Sequence, residues 1–223
     1  MRRFIQALPR SAEFAIVVVG AFGYFVVISL AAVFQHNAQV EQVSDRHLLV
    51  LLAYELILLL ALLGFLRLRG WTIERFDLRL NAGETLVGFG LAAVAYLAYV
   101  LVLVVVAATW PQAAQALQTS VISSPGISLA TVIAASVINP VFEEVFVCGY
   151  VIAALQKSGN PWAGVHVSVA IRLLYHLYQG AIAIGVVPFG LIFALWYRRT
   201  GRLWPVIVAH ALTDFAALLH FVR

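Results

Sequence analysis

The chain has 223 residues, 63% of them hydrophobic and 11% charged, with a mean hydropathy of +0.98. That balance excludes a soluble globular domain, and the formal net charge of +4 is better explained by membrane topology than by nucleic-acid binding. Cys148 is the only cysteine, which excludes an intrachain disulfide.

The first ten residues, MRRFIQALPR, are basic and precede an apolar run that extends to Phe34. Its length and the lack of a small-residue cleavage site distinguish it from a signal peptide, so a retained first helix is expected. Apolar stretches of near-spanning length then recur, and Gly, Pro and charged residues divide them into seven spans: 12–34, 47–66, 84–109, 129–155, 163–178, 181–197 and 204–222. The pattern predicts an all-α fold, a polytopic transmembrane helical bundle. Residues 1–128 supply the N-terminal helices and 129–223 the helices with most intramembrane polar residues, within one integral membrane domain. The fifth and sixth spans are short and meet at YQGAIA (178–183).

With the N-terminus in the cytoplasm, Arg2, Arg3, Arg10, Arg67, Arg69, Arg75, Arg79, Lys157, Arg198, Arg199 and Arg202 fall on one side. Arg46 and Arg223 alone fall on the other, as the positive-inside rule requires. The five tryptophans, Trp71, Trp110, Trp162, Trp196 and Trp204, lie at or near span ends, where amphipathic rings favour the headgroup region. The segment GWTIERFDLRL (70–80) reads as a cytoplasmic amphipathic stretch with Trp71, Ile73, Phe76 and Leu78 on the bilayer surface. RRTGR (198–202) reads as a topology signal. Glu55, alone in the second span, and His220, near the end of the seventh, read as packing or interface residues.

Ionisable side chains at membrane depth are costly and mark functional sites. Here they concentrate in three of the last four spans: Glu143 and Glu144, then Arg172 and His176, then His210 and Asp214. The last two pairs are spaced i, i+4 and share a helix face. Adjacent glutamates differ by about 100° around a helix, so one can face a reaction centre while the other meets a partner. Pro140 predicts a kink, with the Ser136 carbonyl released from the helical ladder. A carboxylate beside a histidine in a low-dielectric pocket can take a proton from water and return it to a leaving amine. Polar groups on another helix can stabilise an oxyanion. The structural alternative is a buried ion pair between the glutamates and Arg172.

The order EEVFVC (143–148), RLLYH (172–176) and HALTD (210–214) resembles the motifs EExxxR, FxxxH and HxxxN or HxxxD of the CPBP (CAAX protease and bacteriocin-processing, or Abi) family of intramembrane endopeptidases. The resemblance implies that Glu143 and His176 activate the attacking water, that His210 and Asp214 stabilise the oxyanion, and that Glu144 supports the site. Two positions depart from the pattern: Cys148 stands where the motif has arginine, and Arg172 where it has phenylalanine. One guanidinium moved between neighbouring helices would keep the charge of the site. Asp214 as a carboxylate cannot donate to an oxyanion; it must carry a proton or else orient His210.

No cofactor is required by this chemistry. Zinc is the alternative, with Glu143, His176 and His210 as its ligands, although no HExxH is present. The expected partners are a membrane-associated polypeptide substrate and the lipid bilayer, with no nucleic acid, and the expected location is a prokaryotic inner membrane. A catalytically impaired scaffold or bacteriocin-immunity protein of the same fold is the competing function. A proton-coupled transporter is disfavoured by the absence of an internal repeat. Depth along the helices offers a check. Glu143 lies about 21 Å from Lys157, and His176 about as far from Trp162, but His210 is only about 9 Å from Trp204.

Overall fold

A long apolar segment can satisfy its backbone polar groups within a bilayer only by closing them internally, which makes helices the expected outcome. The computed structural model describes residues 2–34, 44–110, 112, 126–156, 160 and 162–222, with side chains from Ile5 onward. Lys157 and Arg223, used above for depth and topology, lie outside the described residues. Among the described residues the fold is all helical apart from an isolated bridge between Ile127 and Val222.

Helix α1 (Arg2–Ala7) leads into α2 (Arg10–Phe34), α3 (Asp45–Leu68) and α4 (Ala82–Thr109). The long α5 (Leu129–Gln156) follows, then α6 (Ala163–His176), α7 (Val186–Thr200) and α8 (Trp204–Leu219). Five apolar helical stretches among the described residues are long enough to cross a membrane: α2, α3, α4, α5 and the continuous run Ala163–Thr200. α8 is a shorter apolar helix. The run Ala163–Thr200 is not straight. A 3-10 segment, Leu177–Gly185, interrupts it, and Gly180 adopts φ 64° and ψ −133°, outside the helical region. α6 and α7 fold back on each other there, with Arg198 over the Trp162 ring at 3.9 Å. The expected fifth and sixth spans are the arms of this hairpin, and their boundary falls within YQGAIA.

α5 is the central element. Two thirds of its most apolar window is buried, against 22% or less for α2, α3 and α4. The outer faces of those three helices present Val19, Val27, Leu60, Leu97 and Leu101, each more than half exposed, as an integral membrane protein requires. Lipid is as apolar as leucine, so close packing between helices depends on small residues. A Cβ on Gly164 would come 2.9 Å from the Cα of Ile152, bringing α6 against α5 at backbone distance.

Successive helices alternate in direction, which gathers Arg10, Arg67, Arg69, Arg75, Arg79, Arg198, Arg199 and Arg202 at one end of the bundle. At this end Glu13, itself buried, accepts from Arg69 Nε (2.6 Å), Trp71 Nε1 (2.9 Å) and Tyr150 Oη (3.3 Å). The segment 70–80 therefore departs from the expected surface anchor. Trp71 turns inward to satisfy Glu13, and Phe76, 2% exposed, packs beside Gly149; of the four residues expected on the bilayer, Ile73 is the one left exposed.

Candidate active site

Glu143 and Glu144 close the regular part of α5. Pro140 sits inside it without ending it, and the Ser136 hydroxyl bonds back to the Val132 carbonyl at 2.8 Å. The larger irregularity comes immediately after the glutamates, where Val145–Tyr150 form one π-helical turn. Such turns recur at functional sites because the extra residue re-aims the side chains around it. Phe76 and Leu203 pack where a side chain at Gly149 would stand.

The two glutamates diverge as their spacing predicts. Glu144 is fully buried and bridges two helices: its Oε2 accepts from Arg172 Nη2 of α6 at 2.8 Å, and its Oε1 from His210 Nδ1 of α8 at 2.6 Å. Arg172 Nη2 also lies 3.8 Å from Cys148 Sγ, so the two departures from the sequence pattern are neighbours in space. Arg172 Nη1 is 3.6 Å from Glu143. Glu143 faces a cavity of about 360 Å³, accepting from the Tyr175 hydroxyl on one oxygen and from Asn139 Nδ2, at 3.3 Å, on the other.

His176, His210 and Asp214 line the same cavity. The His176 Nδ1 lies 2.8 Å from the Arg172 carbonyl. A carbonyl only accepts, so Nδ1 carries the hydrogen and Nε2 keeps its lone pair. On α8, His210 Nε2 lies 3.4 Å from Asp214 Oδ1, whose side chain is 28% exposed. The shallow position of His210 in the sequence is also accounted for. α8 starts recessed, with Leu203 fully buried against Gly149, which is six residues beyond Glu143. His210 is seven residues beyond Leu203, and both offsets correspond to about 10 Å, so the two side chains meet at one level.

Three contacts escaped the sequence reading. Tyr175 sits within RLLYH, directly before His176. Asn139 is spaced i, i+4 from Glu143 on its own helix. Glu55 of α3, read as packing, lines the cavity, and its Oε1 accepts from Asn139 Nδ2 at 2.9 Å. The first two had visible spacing signals; Glu55 had none beyond being a lone carboxylate in a span.

Among the described residues, the ligand atoms close enough to share a metal ion belong to Glu143, Glu144 and His210, within 4.8 Å of one another. His176, named in the expected zinc set, is not part of that group. The group suits an ion poorly, because both Glu144 oxygens are already taken by Arg172 and by His210. The guanidinium supplies the positive charge beside these carboxylates.

Residues 125–216 match the family model described as Type II CAAX prenyl endopeptidase Rce1-like. The chain matches no curated protein and no solved structure. The matched stretch contains every residue of the cluster except Glu55, and it covers the same three motifs that carry the CPBP resemblance. Over residues 125–216 the chain is thus similar to the Type II CAAX prenyl endopeptidase Rce1-like family.

Proposed function

We propose that this protein is an intramembrane endopeptidase that hydrolyses a peptide bond in a membrane-associated polypeptide, using a water molecule activated by Glu143. The observation that carries this reading is the convergence of Glu143, His176, His210 and Asp214, from three helices, on one cavity. Glu143 takes a proton from the water as it attacks the carbonyl carbon, and later delivers it to the leaving amine. His176, whose Nε2 lone pair has no hydrogen-bond partner among the described residues, holds the attacking water beside Glu143. His210 donates Nδ1–H to Glu144, which leaves its Nε2–H as the donor for the oxyanion, and Asp214, 3.4 Å from that nitrogen, orients the ring while sharing this hydrogen.

Tyr175 and Asn139 hold the two Glu143 oxygens, which reduces the rearrangement needed when water binds. No step is routed through a metal ion. The cavity extends from Glu143 past Leu48 of α3 to Leu218 and Phe221 beyond the middle of α8, toward the end opposite the basic residues. A substrate enters from that side. Nothing in this geometry requires a prenyl group, so the family's name is not carried to the substrate.

The test is a comparison of new protein N-termini, by mass spectrometry of membranes, between cells lacking the protein and cells complemented with wild type or Glu143→Gln. Termini that appear with wild type alone are expected. Identical profiles from two well-expressed proteins would overturn the reading in favour of a non-catalytic scaffold.

A further inference from the structure

Glu55 is a carboxyl in the middle of a spanning helix, 2% exposed, and the mechanism above gives it no task. One of its oxygens is held by Asn139; the other, Oε2, has no partner although it is fully buried. A buried polar atom left unsatisfied is destabilising, and its persistence calls for an explanation. Glu55 lines the same cavity as Glu143 and Asp214, and among the described residues no lysine or arginine lines that cavity. Arg172 pairs with Glu144 at 2.8 Å and with Glu143 at 3.6 Å from behind the glutamates and is not part of the cavity lining. The groups facing Glu55 are Asn139 and Glu143 from α5 and His210 and Asp214 from α8. The rest of the cavity wall mixes aliphatic residues such as Leu48, Leu51 and Leu52 with the aromatic Phe22, Phe25, Phe142 and Tyr178.

An unpartnered carboxyl oxygen such as Glu55 Oε2, beside aromatic faces, forms the surroundings that a positively charged group prefers. We propose that Glu55 is a specificity residue that binds a lysine or arginine side chain of the polypeptide substrate, near the bond placed over Glu143. This rests on the peptidase reading of the cavity. The long aliphatic stem of such a side chain lies along the apolar wall, and its charged end reaches Glu55 Oε2. A substrate with a carboxylate at the same place is rejected by the acidic lining.

The experiment uses full-length protein in detergent micelles, carrying Glu143→Gln so that peptides bind without being cut. The probes are three hydrophobic Leu/Ala peptides identical except for one central residue: lysine, norleucine or glutamate. Binding is expected in the order lysine, norleucine, glutamate, with lysine ahead of norleucine by about tenfold or more, as for a charged hydrogen bond. Adding Glu55→Gln is expected to bring the lysine-to-norleucine ratio to near one. Equal affinities for the three peptides with Glu55 intact overturn the proposal, as does a lysine preference that survives Glu55→Gln. The order on the Glu55-intact protein stands even if the double variant does not fold. Cleavage of the peptides by protein with native Glu143 is scored separately. Lysine preference without cleavage counts against the peptidase reading alone, and cleavage without lysine preference counts against the cation site alone.

Discussion

Arg172 and Glu144, both almost without exposure, form the electrostatic centre of the cluster. Removing one member of a buried pair leaves the other charge uncompensated, so Arg172→Ala and Glu144→Ala should each destabilise the protein by about 3–5 kcal/mol. Thermal aggregation in detergent would measure this, and a silent Arg172→Ala would refute the idea that this guanidinium does the work of the motif arginine missing at Cys148. Tyr175→Phe removes one donor to Glu143 while keeping the ring, which stacks on Phe22 at 5.4 Å. Its stability should fall by only about 1 kcal/mol, while peptide hydrolysis falls about tenfold or more because Glu143 loses its orientation. Hydrolysis by the purified enzyme should also be unaffected by a strong chelator, since both Glu144 oxygens are occupied by protein donors.

At the scale of the helix, the site depends on how closely α5 is approached by its neighbours. Gly164 lets α6 reach the backbone of α5 at Ile152, and α6 carries Arg172, Tyr175 and His176. Gly164→Ala requires a shift of one helix against the other and should lower stability by about 1–3 kcal/mol, with activity falling as α6 moves. A matched Gly64→Ala, where a Cβ meets nothing within 4 Å, is the control and should leave both unchanged. The spans themselves were legible from apolar length and charge punctuation, including the break near Gly180. The π-turn after Glu144 and the recessed start of α8 were not, because the contacts around them, Phe76 and Leu203 against Gly149, join residues remote in sequence. The fate of Trp71 and Phe76 was misread because their amphipathic pattern is equally compatible with lipid and with a buried Glu13.

The whole bundle places its basic side chains at one end, as positive-inside topology demands. With that end in the cytoplasm, Thr200→Cys should react with a membrane-impermeant maleimide only after cells are permeabilised, and Arg46→Cys in intact cells. The native thiol is fully buried and gives no background. The reverse pattern would invert the topology and place the cavity mouth on the cytoplasmic side.

Composition and spacing were enough to determine that this chain is a helical membrane protein and where its helices break. Those properties follow from local length, hydropathy and helical periodicity. Which glutamate faces the cavity, which cation neutralises the other, and that Glu55 and Asn139 join them were decided only by tertiary structure. Each depends on the rotation and depth of helices far apart in sequence, and backbone-close packing at residues such as Gly149 and Gly164 sets both.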